Sequence, residues 1–207
     1  MAKLVILRHG QSYTNSKAHK AAPNETNFLT PKGFQDTLTA GQEFSALYGH
    51  IKFDFACCST YPRTYLTAAA FLSGANHPPI EVLTYADLRE RQYGFTEYVP
   101  TATLKEMYGG GVIQGWDDHL DTVPGDPAIG ETQQQVYDRV IPFFNSVILP
   151  KLAAGQNVLC VNHFYVMRAL LSHIEVGSAA KMPELDAKNS VPHIFQYIEE
   201  NKFAWVK

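Results

Sequence analysis

Two histidines and two arginines stand where apolar runs of this chain give way to polar residues. Arg8 and His9 follow Leu4-Val5-Ile6-Leu7, and His163 follows Val158-Leu159-Cys160-Val161 after one asparagine. Arg63 comes one residue after Pro62, in what reads as the first turn of a helix. Unpaired backbone N–H groups and the positive end of the helix dipole lie at such a turn, so an arginine there extends a ready anion site. Gly10, Ser12 and Asn15, just beyond His9, can offer backbone and side-chain donors to the same anion. Arg-His-Gly alone is an ordinary surface turn. Two histidines and two arginines, all at such junctions, point to chemistry on an anion. The acid or base is harder to choose. The stretch Asp87-Leu88-Arg89-Glu90-Arg91-Gln92-Tyr93-Gly94 alternates in sign as a solvated run does, and neither charge nor spacing distinguishes Glu90 from Asp87 or Glu97.

The elements that must position these groups follow from the apolar pattern. Lys3 to Leu7 reads as a fully buried strand. Thr30-Pro31 is an N-cap and first-turn proline, with Phe34, Leu38, Gly41, Phe44 and Tyr48 at helical spacing and Gly49 as the stop. Phe53 to Cys58 is a second strand, and Ser59-Thr60-Tyr61-Pro62 opens a helix running to Gly74. Ile80 to Leu83 is a third strand. From Glu90 to Pro127 the periodicity fails and Gly109-Gly110-Gly111, Gly115 and Pro124-Gly125-Asp126-Pro127 break the chain, which predicts a lid or binding excursion over about 90–130. Glu131 to Leu152 is helical again, Asn157 to Val161 a strand, Tyr165 to Ser172 a helix. His193 to Glu199 and Phe203 to Val206 are two final strands.

Strands alternating with helices predict an α/β fold: a mostly parallel central sheet with helices on both faces, in a single domain over residues 1–207. Ligands of such sheets bind outside the carboxyl ends of the strands. Arg8-His9 and Asn162-His163 both stand at strand ends, so the fold is expected to bring the two histidines together.

Composition bounds the partners. Hydrophobic residues at 45% and charged residues at 18% fit a folded core and argue against a disordered nucleic-acid arm. A net charge of −3 gives no general attraction for polyanions, so a phosphate must be held by local arginines. The apolar run at the start of the chain is too short for a signal-peptide core or a membrane span. Cys57, Cys58 and Cys160 lie in apolar strands and are expected to be reduced and buried, as suits a cytoplasmic protein.

Read together, these segments resemble the histidine phosphatase superfamily, in its phosphoglycerate-mutase-like branch. Arg8-His9-Gly10 with Ser12 and Asn15 is similar to the family signature. The stretch Ser59-Thr60-Tyr61-Pro62-Arg63-Thr64-Tyr65-Leu66-Thr67-Ala68 resembles the segment with its second phosphate arginine. Leu88 to Gly94 resembles the stretch that holds the family's acid. Gly130-Glu131-Thr132 with Arg139-Val140, and Val161-Asn162-His163 with Met167-Arg168-Ala169-Leu170, match two further motifs in order.

The resemblance implies roles. His9 would be the nucleophile, taking phosphate on one ring nitrogen while the other donates to a backbone carbonyl. Arg8, Arg63 and His163 would neutralise the transferring phosphoryl group, with Ser12 and Asn15 as further substrate donors. Glu90 would protonate the departing alkoxide and later deprotonate water. No metal and no cofactor are implied, because the cationic pocket supplies the charge. Two departures stand out. Gln11 replaces a frequent glutamate, a tolerable change. Phe164 replaces the usual glycine after the second histidine; phenylalanine resists positive φ and is expected to crowd the phosphate's approach while still offering a backbone N–H.

Within the family, hydrolysis of a small phosphorylated metabolite is expected over mutase activity. The excursion from Glu90 to Glu131 spans 41 positions, and after Arg91 its only cation is Lys105 among six acidic residues. Such a lid repels a substrate bearing both carboxylate and phosphate. Phe95, Tyr98, Tyr108 and Trp116 suit an apolar or ring-bearing leaving group, or simply pack the lid. A cofactor-dependent phosphoglycerate mutase is the alternative, and a catalytically weak phosphate-binding regulatory domain the second. The secreted acid-phosphatase and phytase branch would bring disulfides and a His-Asp pair where this chain has His163-Phe164.

Overall fold

The computed structural model describes residues 1–16, 24–94, 99, 101–109, 120, 130–199 and 202–206. Six strands form one sheet in the order β3-β2-β4-β1-β5-β6: β1 (Lys3–Arg8), β2 (Phe55–Ser59), β3 (Val82–Tyr85), β4 (Val158–Asn162), β5 (Pro192–Glu199) and β6 (Lys202–Trp205). The pairs β1–β4, β4–β2 and β2–β3 are parallel; β1–β5 and β5–β6 are antiparallel. This is the mostly parallel α/β sheet expected from the alternating pattern.

Side chains alternate across the strands and build two cores. Leu4, Ile6, Cys57, Val158 and Cys160 pack against α4 (Gln133–Phe143) and α6 (Phe164–Val176). Val5, Leu7, Ala56, Cys58, Leu159 and Val161 face α1 (Pro31–Tyr48) and α2 (Pro62–Gly74). Helices thus cover both faces, and the central strands read as continuous apolar runs because neither face meets water. The three cysteines are free and buried. Burial pushes the Cys58 thiol up to about 12, and a hydrogen bond with Cys160 together with burial raises Cys57, so these thiols are not nucleophiles near neutral pH.

Several boundaries differ from the sequence reading for physical reasons. The buried stripe of α1 is Gly33, Thr37, Gly41 and Phe44, while Phe34 is 43% exposed. A Cβ at Gly41 would strike the Phe71 carbonyl, and one at Gly33 would strike the backbone of Gln11. The helix turns its smallest residues inward so that two backbones can approach it. Thr30 caps α1 as expected, its Oγ1 accepting from the Gly33 N–H at 2.9 Å. The third strand lies two residues beyond Ile80–Leu83, and a short 3₁₀ turn (Ala86–Leu88) follows it.

The expected excursion contains a helix, α3 (Thr101–Tyr108), that breaker residues had hidden. Phe95, Tyr98 and Trp116 lie outside the described residues. The helix expected over Glu131 to Leu152 starts at Gln133, capped by a Thr132–Gln135 capping box, and passes through a π-helical turn (Phe144–Ile148) into α5 (Leu149–Ala153). Among the described residues, no helix is long and apolar enough to cross a membrane.

Candidate active site

Register brings the two histidines together. Arg8 pairs with Asn162 at the ends of β1 and β4, so His9 and His163 are the next residues of two adjacent parallel strands. The His9 N–H donates to the Asn162 carbonyl at 2.9 Å, and the two imidazole centroids lie 5.1 Å apart, edge to face. β2 ends at Ser59 on the other side of β4, and α2 begins at Pro62, placing Arg63 at the same sheet edge.

His9 is buried, and its Nδ1 lies 2.7 Å from the Gly10 carbonyl. A carbonyl only accepts, so Nδ1 carries the proton and Nε2 keeps the lone pair. Burial first, then the charges of Arg63 and Arg8, hold this imidazole well below its ordinary titration range and therefore neutral. His163 is fully buried, and neither ring nitrogen has a hydrogen-bond partner among the described residues. Its titration is also lowered, by burial and then by Arg63, His9 and Arg8. A buried imidazole with both nitrogens unsatisfied is costly unless a ligand completes it.

The backbone around His9 is held tightly. Gly10 touches the start of α1: a Cβ there would lie 2.6 Å from both the Gly33 carbonyl and Thr37 Oγ1. Asn189, which the sequence did not single out, donates from Nδ2 to the His9 carbonyl at 2.6 Å. Its neighbour Ser190 has φ of 60°, a left-handed conformation that a serine keeps only when its surroundings dictate it. Those surroundings are the Ser190 N–H to the Arg8 carbonyl and Ser190 Oγ beside Thr37 Oγ1. The Asn-Ser turn before Pro192 was the available signal.

The cations converge from separate elements. Arg8 Nη1 donates to the Ala187 carbonyl at 2.6 Å; burial lowers this guanidinium's titration, opposed by the carboxylates of Glu90 and Asp186. Arg63, buried, donates from Nη1 and Nη2 to the carbonyl and side chain of Asn24, a second residue the sequence reading missed. Tyr61 lies under the Arg63 and Arg89 guanidiniums and edge-on to His163. Ser12 and Asn15 bond to each other in the loop after His9, Ser12 Oγ to Asn15 Oδ1 at 3.1 Å.

Phe164 corrects an expectation. It is the first residue of α6, with right-handed helical backbone, so the position does not ask for glycine. Its ring meets the guanidiniums of Arg8, 4.9 Å from the ring centroid, and Arg168, 4.1 Å away. The phenyl group makes cation–π contact with both guanidiniums.

Glu90, which the sequence alone could not separate from its neighbours, is brought to the site. Its carboxylate accepts from the N–H groups of Arg91 (2.9 Å), Phe164 (3.0 Å) and Tyr165 (3.2 Å). It thereby caps α6, whose N-cap His163 offers no side-chain cap. Asp87, by contrast, lies exposed in the 3₁₀ turn, and Glu97 is outside the described residues. The arrangement can do three things: present an imidazole lone pair, surround an anion with guanidinium and N–H donors, and hold a carboxylate beside it.

Comparison with known proteins identifies the family. A family model described as histidine phosphatase superfamily (branch 1) matches residues 4–206. The 2,3-bisphosphoglycerate-dependent phosphoglycerate mutase of Cytophaga hutchinsonii is 32% identical, over 100% of this chain and 94% of its own. The protein of the same name from Rhizobium etli is 31% identical, over 95% of this chain and 91% of its own. Among solved structures, the complex of mycobacterial glucosyl-3-phosphoglycerate phosphatase with VO3 superposes with a TM-score of 0.79 at 18% identity, covering 99% of this chain and 97% of that one. The last likeness is one of fold alone.

Proposed function

This chain belongs to the histidine phosphatase superfamily, and we propose that it hydrolyses a small phosphomonoester through a phosphohistidine on His9. The observation that carries the reading is the buried histidine pair: His9 oriented by the Gly10 carbonyl, with His163, its nitrogens without a partner among the described residues, 5.1 Å away. His9 Nε2 forms a bond to phosphorus as the ester P–O bond breaks, and Glu90 gives its proton to the leaving oxygen. Water then attacks phosphorus, the N–P bond breaks, and Glu90 takes the water's proton. Arg8, Arg63 and His163, with the donors of Ser12 and Asn15, balance charge on the equatorial oxygens.

Water is favoured as acceptor because a second anionic group on the substrate has little to hold it. Between Glu90 and Glu131 the chain has two cations, Arg91 and Lys105. Arg91 is fully buried, its Nε on the Glu131 carbonyl and its guanidinium against Tyr93 and Tyr165. Lys105 is exposed on α3. The second reading, a 2,3-bisphosphoglycerate-dependent mutase, is favoured by the names of the sequence relatives. Arg89, exposed beside Tyr61, could meet a carboxylate there. One enzyme preparation decides between them: phosphate release from simple aryl and alkyl phosphates is followed beside interconversion of 3- and 2-phosphoglycerate primed with 2,3-bisphosphoglycerate. Hydrolysis is expected to be faster by at least about tenfold, only ~1.4 kcal/mol in barrier. Isomerisation outrunning phosphate release would establish the mutase instead.

A further inference from the structure

We infer that Arg139, held by Glu131, is a positioning residue that sets where Glu90 stands. Arg139 lies on α4, and no hydrogen bond joins it to the histidines. Its Nη1 donates to the Asp87 carbonyl at 2.6 Å, and its Nη2 to the carbonyls of Arg89 at 2.8 Å and Glu90 at 3.2 Å. Glu131 grips the same guanidinium, Oε1 with Nε at 2.7 Å and Oε2 with Nη2 at 3.0 Å. The Glu131 residue also ties down the chain just past Glu90. Its carboxylate accepts the Gln92 N–H at 2.9 Å, its N–H donates to the Gln92 carbonyl at 2.8 Å, and its carbonyl accepts Arg91 Nε at 2.7 Å.

The segment Asp87–Gln92 is thus fixed on both sides of Glu90 by the entry to α4. From there the Glu90 carboxylate reaches the Phe164 and Tyr165 N–H groups. Beyond the 3₁₀ turn, Arg89 to Gln92 have no regular structure and need such fastening, because a side chain can hold its place only if its own backbone does. Only a planar fork with several donors can serve three carbonyls and a carboxylate together; a lysine ammonium cannot.

The inference rests on the proposed acid–base role of Glu90 for its kinetic consequence, but not for its structural one. A misplacement of about 1 Å costs on the order of 10²-fold in rate. Arg139→Met is therefore expected to slow turnover of an alkyl phosphate, whose leaving group needs a proton, by roughly 10²-fold. Release of nitrophenolate in the first turnover, which needs no proton, should fall far less. KM and vanadate affinity should stay within about threefold, because Arg8, Arg63 and His163 are untouched. Arg139→Lys should behave like Arg139→Met: it keeps the positive charge near His163 but loses the fork.

The structural readout is the pair of Phe164 and Tyr165 amide resonances, which should move in Arg139→Met toward their positions in Glu90→Ala. Glu131→Gln loosens the same clamp from the other side and replaces Arg139→Met if that variant does not fold. Unmoved amides, or rates lost equally on both substrates, or full rescue by lysine, would overturn the assignment. If Glu90→Ala itself turns over alkyl phosphates normally, the acid–base role falls, while the amide shifts still decide the clamp.

Discussion

Replacing Phe164 by alanine removes a ring that touches two guanidiniums. Arg8 and Arg168 lie 4.9 and 4.1 Å from its centroid, and the Tyr165 ring meets it edge-on at 5.1 Å. Each cation–π contact at a half-exposed site is worth about 0.5–1 kcal/mol, and the edge-to-face pair about 0.5 kcal/mol or more. Loss of part of the ring's buried area adds roughly 1 kcal/mol. Allowing for non-additive neighbours, Phe164→Ala is expected to cost about 2–3 kcal/mol, a fall in Tm of roughly 5–10 °C for a chain of this size. The functional consequence should go beyond stability. Arg8 keeps its bond to the Ala187 carbonyl but loses the surface it stacks on, so vanadate affinity should weaken by about three- to tenfold, ~0.7–1.4 kcal/mol. Phe164→Leu separates the two effects: it should recover most of the Tm and little of the affinity. Phe164→Tyr should recover both. Thermal melts and vanadate inhibition on the three variants test this. An alanine variant that binds vanadate as tightly as the parent, or tighter, would mean that the ring obstructs the pocket and does not support Arg8.

Two further outcomes follow from the site's charges. His9 and His163 titrate below their ordinary value when folded, so the unfolded chain binds more protons below about pH 6.5, and stability is full above that pH and declines as it falls toward the folded values. Each histidine adds a slope of up to about 1.4 kcal/mol per pH unit; urea melts from pH 8 to pH 5 should show a decline that His9→Asn and His163→Asn each flatten, and an unchanged slope in both would refute the burial argument. Because guanidinium groups supply the positive charge, EDTA should leave turnover intact while vanadate inhibits; activity lost on chelation and restored by one divalent ion would move the chain to another mechanistic class.

How far the sequence could be read depended on the range of the interaction. β1 and β4 were visible as strands, to within one residue at each end, because both faces are buried, and their ends placed His9 and His163. The capping of α1 by Thr30 was visible because a cap is local chemistry. On α1, Gly41 and Phe44 face inward as expected, but periodicity weights large apolar residues and so chose Phe34 over Gly33, which is buried through close backbone approach. Glu90 could not be chosen from charge alone, since what selects it is a contact 74 residues away at the start of α6. Asn189 and Arg139 act on backbone carbonyls, which carry no residue-type signature. The backbone objection to Phe164 falls because the residue opens α6 in a right-handed helical conformation.

The most direct test mixes the enzyme with a labelled phosphomonoester, quenches within one turnover and maps the label. An acid-labile, base-stable phosphoryl group is expected on His9, absent in His9→Ala, and discharged as inorganic phosphate at the rate of steady-state turnover without any added acceptor. Absence of label from His9 would contradict the nucleophile, and a labelled His9 that empties only when phosphoglycerate is added would contradict water as its acceptor.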